Sequence, residues 1–366
     1  MGPVLIARIK TGVDLDVPLA GTDRPRPVQS LQGLCQRHWV CASPLGVALA
    51  LRGLPGGCAN SRFGSRGPTC AQRLRGDFVA DGGAFEEQRV RLWDIAYRIT
   101  ASVADADDVL QEAWLRWQRL PDGYVVDAGP FLRTVVSRIC YDMIGSARAR
   151  REVYTGPWLP EPLVTEGGPE DRVTLDDTVS LAMLTVLQRL TPAERTAFIL
   201  HDVFAVPFAE IAESVGRTPA AVRQLASRAR RRVREEAPRQ SADRSGHQQA
   251  VEAFLAASTG GDLARLLEIL DPDVVWRSDG GGIVTAARRP IVGHEKTARF
   301  VLGILQWVDL ATIKILRREV NGAPGLVFLD SSGLTVVLAF TVHDGCITEI
   351  DAVVNPDKLR HLKFQE

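Results

Sequence analysis

No surplus of charge of either sign marks this chain: 44 Lys and Arg balance 44 Asp and Glu over 366 residues. The whole-chain figure therefore points to no polyanionic or polycationic partner, and only the local distribution of charge can. No run of about 18 apolar residues exists, which excludes a membrane-spanning helix. The best apolar stretch, Val40 to Leu51, is short, contains Pro44, and lies too far from Met1 for a secretory leader. The six cysteines make no disulfide framework, because Cys140 and Cys346 stand alone in otherwise ordinary segments. A cytoplasmic location is expected. The other four, with His38, could form a zinc site (Cys35, His38, Cys41, Cys58, Cys70), but their spacing matches none of the usual knuckles. Neither a metal nor a cofactor is expected.

What is present is unevenly spread. Residues 1–83 are rich in Gly, Pro and Arg and show no period of 3.6 or 2, so an unstructured extension is expected. From Ala84 helical spacing takes over: Phe85, Leu92, Ile95 and Ile99, then Val109, Leu110, Ala113 and Trp117. Pro121-Asp-Gly123 breaks the pattern. A third helix follows Gly129-Pro130 and carries Leu132, Val136, Ile139 and Met143 into a basic tail. Tyr154 to Asp171 holds four prolines and two of its three glycines side by side, and reads as a flexible linker. Helices resume near Leu175 and run to about Glu236. After a polar stretch come two helices, near 247–258 and 262–270, and another from Gly293 to Leu305. Strands are expected at Asp273–Arg277, Leu310–Glu319, Leu326–Leu329, Leu334–His343 and Cys346–Val354. The domain plan is thus 1–83, 84–152, linker 153–174, 175–237 and 247–366.

Charge of one sign concentrates in one place. Between 217 and 234 stand Arg217, Arg223, Arg228, Arg230, Arg231, Arg232 and Arg234, with no acidic residue among them. The segment has the layout of a helix-turn-helix. Ile211, Ala212 and Val215 form a short apolar face, Gly216 supplies the turn, and Thr218-Pro219 opens a second helix. Position 221 is Ala, so no capping box forms there. Val222, Leu225, Ala226, Ala229 and Val233 keep one side buried. The other presents Arg223, Gln224, Ser227, Arg228 and Arg231, residue types suited to base edges and phosphates. A plain helical hairpin with an arginine-rich surface is the competing interpretation.

Three segments together narrow the choice. Asp105-Ala-Asp-Asp-Val-Leu-Gln-Glu-Ala-Trp-Leu-Arg116 resembles the helix by which extracytoplasmic-function sigma factors grip RNA polymerase. Pro130–Arg151 resembles the following helix, which reads the −10 element. Leu190-Thr-Pro-Ala-Glu-Arg-Thr-Ala-Phe-Ile-Leu200 plus the helix-turn-helix resembles the −35-reading domain. The resemblance covers about residues 84–236. It implies core-polymerase contacts from Asp105, Asp107, Asp108, Val109, Gln111, Glu112 and Trp114. It further implies −10 contacts from Arg133, Arg138, Tyr141, Arg148, Arg150 and Arg151, with the loop 121–129 capturing an unstacked base. For the −35 element it implies Thr218, Pro219, Ala220, Arg223, Gln224, Ser227, Arg228 and Arg231. The partners implied are core polymerase, through the clamp and flap of its large subunits, and promoter DNA. The acidic helix start could suggest a calcium loop, but Val109 and Leu110 stand where ligands and glycine would follow.

The last domain resembles SnoaL-like members of the cone-shaped NTF2 superfamily. The full architecture expected is two all-α domains, the second with the helix-turn-helix, and a C-terminal α+β cone. Trp158-Leu159-Pro160-Glu161-Pro162-Leu163, Asp279-Gly280-Gly281-Gly282 and Asn355-Pro356-Asp357-Lys358-Leu359 narrow the resemblance to the SigJ type, whose fused domain regulates activity. These three motifs are expected near one another, adjusting the spacing of the two DNA-reading domains. SnoaL relatives include enzymes, so Asp279, His294 and Asp351 are candidate acids or bases, and a small-molecule ligand in the cone is a further candidate partner. No second catalytic partner is evident, and no catalytic residue is assigned. A one-component DNA-binding regulator with a ligand-binding cone is the alternative function.

Overall fold

The computed structural model describes residues 82–121, 124–151, 154–166, 179–237, 243–331 and 333–364, with backbone only at 147–151, 334 and 335. The expectations for residues 1–81, including the cysteine cluster, lie outside these.

Helices α1 (Gly82–Thr100), α2 (Val103–Gln118) and α3 (Ala128–Arg151) form the first group. Their apolar positions fall on one stripe each, and Leu92, Ile95, Ile99, Val109, Ala113, Leu132 and Val136 meet in a common core. Ala101 makes the α1–α2 corner with φ 59°, and Ser102 caps α2 by accepting from the Asp105 N–H. Helices α4 (Leu181–Leu187), α5 (Pro192–Phe198, continued as a π-helical turn to Val203), α6 (Phe208–Val215) and α7 (Pro219–Glu236) form the second group. Thr191 and Glu194 close a capping box on α5. The two groups share one apolar cluster, in which Leu132 and Val136 join Leu200, Ile211 and Val222. Arg133 on α3 pairs with Glu210 on α6 at 3.2 Å. Buried Arg195 of α5 donates to the Ile99 carbonyl at the end of α1.

The C-terminal part begins with α8 (Arg244–Gly260) and α9 (Leu263–Ile269). It continues through β2 (Leu270–Asp279), β3 (Ile291–Val292), α10 (His294–Leu305), β4 (Lys314–Val320), β5 (Ala323–Asp330), β6 (Gly333–His343), β7 (Cys346–Val353) and α11 (Pro356–Leu359). With β1 (Val164–Thr165, from the linker), the strand order is β1-β4-β5-β6-β7-β2-β3, with β2 parallel to β7 and the other neighbours antiparallel. One face of the sheet packs Trp276, Leu338 and Phe340 against Phe254, Leu266 and Val301 of the helices. This is the α+β cone expected.

The short β3 and α11 were not expected from the sequence, and two further elements depart from that reading. Leu310–Thr312 is a 3₁₀ turn capped by Asp309, not the start of a strand, because the Asp309 carboxylate competes for the local backbone N–H. More consequential is β1 (Val164–Thr165), which pairs Val164 with Val320 and Thr165 with Glu319. The linker, expected to be flexible, is docked over 154–166. Its apolar Leu159 joins Val337, Val353 and Leu359 on the outer face of the sheet, where Leu181 of α4 also packs.

Candidate nucleic-acid interface and linker lock

Helix α7 is positioned by a tight corner. Gly216 closes α6 in the left-handed region at φ 63°, a conformation cheap only without a Cβ. Thr218 then accepts the Ala221 N–H, and Pro219 occupies the first helical position. Val222, Ala226, Ala229 and Val233 are buried, while Arg223, Gln224, Ser227, Arg228 and Arg231 are exposed, as are Thr218, Pro219 and Ala220. Two arginines of the basic block are paired within the fold. Arg230 pairs with Asp202 at 2.5 Å and Arg232 with buried Glu194 at 3.2 Å, so these two hold α7 to α5 and its π-helical turn. The Arg223 guanidinium lies over the Phe208 ring, 5.5 Å from its centroid.

On α3, Arg138 is exposed and Tyr141 half-buried. Arg133 does not face solvent: its pairing with Glu210 turns it toward α6. The side chains of Arg148, Arg150 and Arg151 lie outside the described set. A cleft of about 520 Å³ separates the helices, lined by Tyr141, Asp142 and Gly145 from α3 and by Arg217, Leu225 and Arg228 from the second group. On the loop before α3, Tyr124 and Val126 are exposed.

Helix α2 presents Asp107, Asp108 and Gln111 to solvent, with Asp105 and Glu112 half-exposed. Asp107 also accepts from Trp93 Nε1 at 2.7 Å, and Trp114 stacks edge-on against Phe85. Val109 is fully buried, so it belongs to the core and not to a contact face. Leu115, 40 % exposed, extends the open face and was missed, although its i+4 spacing from Gln111 is legible.

The three remaining motifs converge on one carboxylate. Asp279 is fully buried on the outer face of the cone. Its Oδ1 accepts from Tyr154 Oη (2.5 Å) and Gly281 N (3.1 Å); its Oδ2 accepts from Leu159 N (2.7 Å) and Lys358 Nζ (2.8 Å). Lys358 also donates to the Leu159 carbonyl and sits over the Trp158 ring, 3.8 Å from its centroid. Asn355 donates to Tyr154 Oη and caps α11 through the Asp357 N–H. Gly281, at φ 63°, is forced by proximity, since a Cβ there would lie 2.4 Å from Asn355 Nδ2. Gly280 is packed against the Val284 carbonyl, and Gly282 against Thr155. Burial, then the Asp279 carboxylate, raises the Tyr154 pKa and keeps its hydroxyl a donor. A buried ion pair with every oxygen engaged is a structural lock, and it leaves Asp279 no lone pair aimed at a substrate.

Further along, His361 Nε2 meets the Pro162 carbonyl at 2.9 Å, and Asn321 binds both Leu163 backbone groups. Asn321-Gly322 is the two-residue turn of the β4–β5 hairpin, with both φ angles positive. Asp351, another candidate acid, is also engaged. Asp351 pairs with Arg277 at 2.9 Å on the outer face, its pKa raised by burial against the opposing pull of that arginine. His294 stands at the start of α10.

Comparison with known proteins places these parts in context. Residues 84–150 match the family described as Sigma-70 region 2, and residues 180–233 that described as Sigma-70, region 4. Among curated proteins, the chain is 41% identical over 294 residues to the ECF RNA polymerase sigma factor SigJ of Mycobacterium tuberculosis, covering 77% of this chain and 94% of that protein. It is 37% identical over 286 residues to the probable ECF RNA polymerase sigma factor SigI of the same organism, covering 77% and 96%. Among solved structures, the crystal structure of M. tuberculosis SigJ aligns with a TM-score of 0.63 at 36% identity, over 77% of this chain and 99% of that one.

Proposed function

The chain belongs to the extracytoplasmic-function sigma factors of RNA polymerase, and on that footing we propose how its parts divide the work of promoter-specific transcription initiation. It is a specificity subunit and not an enzyme; its partners are core polymerase and promoter DNA. The domain covering 84–152 supplies the polymerase contact through the acidic face of α2 (Asp107, Asp108, Gln111, with Leu115) and reads the −10 element through α3. The domain covering 175–237 reads the −35 element through α7. The observation that carries this division is the exposed row Arg223, Gln224, Ser227, Arg228 and Arg231 on a helix that buries Val222, Ala226, Ala229 and Val233 on its other side. Arg is suited to guanine and Gln to adenine in the major groove.

The described arrangement is a closed one. Elements named −10 and −35 lie on the order of 80 Å apart along a duplex that rises about 3.4 Å per base pair. Here α3 and α7 line the same cleft, so they cannot occupy both elements at once. Promoter engagement therefore requires α3 to part from α6 and α7, breaking the Arg133–Glu210 pair and freeing Arg133 for phosphate.

The cone, residues 247–366, regulates by holding the linker. Its inner face is filled by rings packed on one another, Phe254 on Phe340 at 5.3 Å and Trp276 on Phe300 at 5.5 Å between centroids. Its outer face carries the lock. Contact with the linker, not a bound small molecule, is the mode these observations favour.

The test is run-off transcription with purified core polymerase and the full chain, on the promoter upstream of its own gene. Core-dependent transcripts are expected, with promoter binding absent without core. Specific promoter binding by the free chain, with no transcript on adding core, would favour the one-component regulator instead.

A further inference from the structure

The linker touches two bodies. Leu159, Pro162 and Leu163 are held by the cone, through Asp279, Lys358, His361 and Asn321. Glu161, between them, points the other way. Its Oε2 accepts from Val103 N (2.7 Å) and Ala104 N (3.3 Å), and its Oε1 from Ser102 Oγ (2.8 Å). Its backbone N–H donates to the Ala101 carbonyl, and its carbonyl accepts from Tyr97 Oη at 2.7 Å. The same hydroxyl accepts from Asn321 Nδ2 of the cone at 2.9 Å. One residue thus satisfies the first two N–H groups of α2, while Ser102 satisfies the third.

These first-turn donors would otherwise be orphaned, and a carboxylate at this end also meets the positive pole of the helix. Glu161 is therefore a cap for α2 supplied from about 60 residues away in sequence. A cap with so long a loop behind it stays in place only if something else holds the chain there. The cone does so, on both sides of Glu161. Asp107, Asp108 and Gln111 remain exposed while Glu161 is docked, so the docked linker leaves the polymerase face of α2 open.

We infer that Glu161 is a positioning residue through which the cone, by gripping the linker, braces helix α2 and so strengthens binding of core polymerase. The inference rests on the reading of α2 as the polymerase-facing helix. It separates two actions within the closed chain: the linker lock favours polymerase binding, whereas the α3–α6 packing withholds promoter reading.

The experiment is a fluorescence titration of labelled full-length chain with purified core polymerase, alongside amide exchange at Val103 and Ala104. Glu161→Ala and Lys358→Ala should each weaken the Kd for core by roughly fivefold to thirtyfold, as loss of a helix cap does in its own currency. Both should speed exchange at the two amides. The double variant should bind no more weakly than the weaker single one, because both substitutions undo the same docking. Unchanged or tighter binding by Lys358→Ala, or effects that multiply in the double variant, would overturn the inference. Circular dichroism and thermal melting establish that each variant is folded. Should Glu161→Ala not fold, Tyr97→Phe removes only the shared hydroxyl, and a Kd weakened by about threefold is expected; no change would count against the brace. The pair Asp107→Lys and Asp108→Lys controls the underlying reading. If that pair binds core normally, the polymerase face lies elsewhere and the inference falls with it. If it weakens binding while Glu161→Ala does not, the brace alone is wrong.

Discussion

Helix α7 and the linker are opposites in how they relate to their surroundings. The helix carries its own specification: a glycine turn, a Thr-Pro start, and a 3.6-residue apolar stripe that buries one side and leaves its arginines outside. The linker has no period, several prolines and no regular hydrogen bonding beyond two residues of strand. It is nonetheless held along 154–165, because polar groups elsewhere satisfy its backbone: Asp279 and Lys358 for Leu159, His361 for Pro162, Asn321 for Leu163. A segment that cannot pair with itself can still be ordered when other elements present donors and acceptors at its spacing. Prolines help, since each removes a backbone donor that would need a partner.

The largest effect expected on this contrast comes from Lys358→Ala. It leaves the Asp279 carboxylate buried without its counter-ion, and such a loss costs about 3–5 kcal/mol. Calorimetry should show a lowered melting temperature, with α7 retaining its helicity. Replacing both members, Asp279→Asn with Lys358→Met, should recover part of the loss, whereas an equal or larger loss would mean that packing and not charge holds the linker.

Acid should loosen the same side first. His247, in α8, is buried, and that burial lowers its pKa from 6.5 to about 4 against the opposing pull of the Pro324 backbone. The folded state thus binds this proton less readily than the unfolded one. The contribution is complete above pH 6.5 and is lost as pH falls toward 4, by at most about 3 kcal/mol. Denaturant melts at pH 7 and pH 5 should show the drop, and His247→Gln should flatten it; an unaltered pH slope in that variant would assign the dependence to other groups.

Arg223→Ala tests the helix. Bound to promoter as holoenzyme, it should lose about 1–3 kcal/mol at its cognate −35 sequence and discriminate less at one base pair. Equal losses on every DNA sequence would make Arg223 a phosphate contact. The smallest effect expected is from Thr218→Ala, about 1 kcal/mol of stability through the lost cap, read by chemical denaturation. A larger value would show that the turn itself is under tertiary control.

Much of the site was legible in order along the chain, and for a physical reason. The exposed faces of α2 and α7 follow from periodicity, because a helix determines from its own sequence which residues share a side. Val109 shows the limit of quoting a motif whole: it lies inside the segment expected to face polymerase, yet its position on the stripe buries it. Arg230 and Arg232 show another, since their acidic partners Asp202 and Glu194 lie 28 and 38 residues away. The motifs at 158–163, 279–282 and 355–359 could be named from sequence but not their chemistry. That Asp279 accepts from four donors, including Tyr154, which belongs to none of the motifs, depends on bringing residues 154, 159, 281 and 358 together.

The sequence by itself determined the helices, their caps and turns, the exposed rows of polar side chains and the order of the domains, because these depend on spacing within one segment and on the local conformational preferences of Gly, Pro and Thr. Only the tertiary structure decided that the linker is bound, that Glu161 caps a helix far from it in sequence, and that α3 and α7 share a cleft. Each of these is a contact between segments distant along the chain, where a hydrogen-bonding group finds its partner only after folding brings it near.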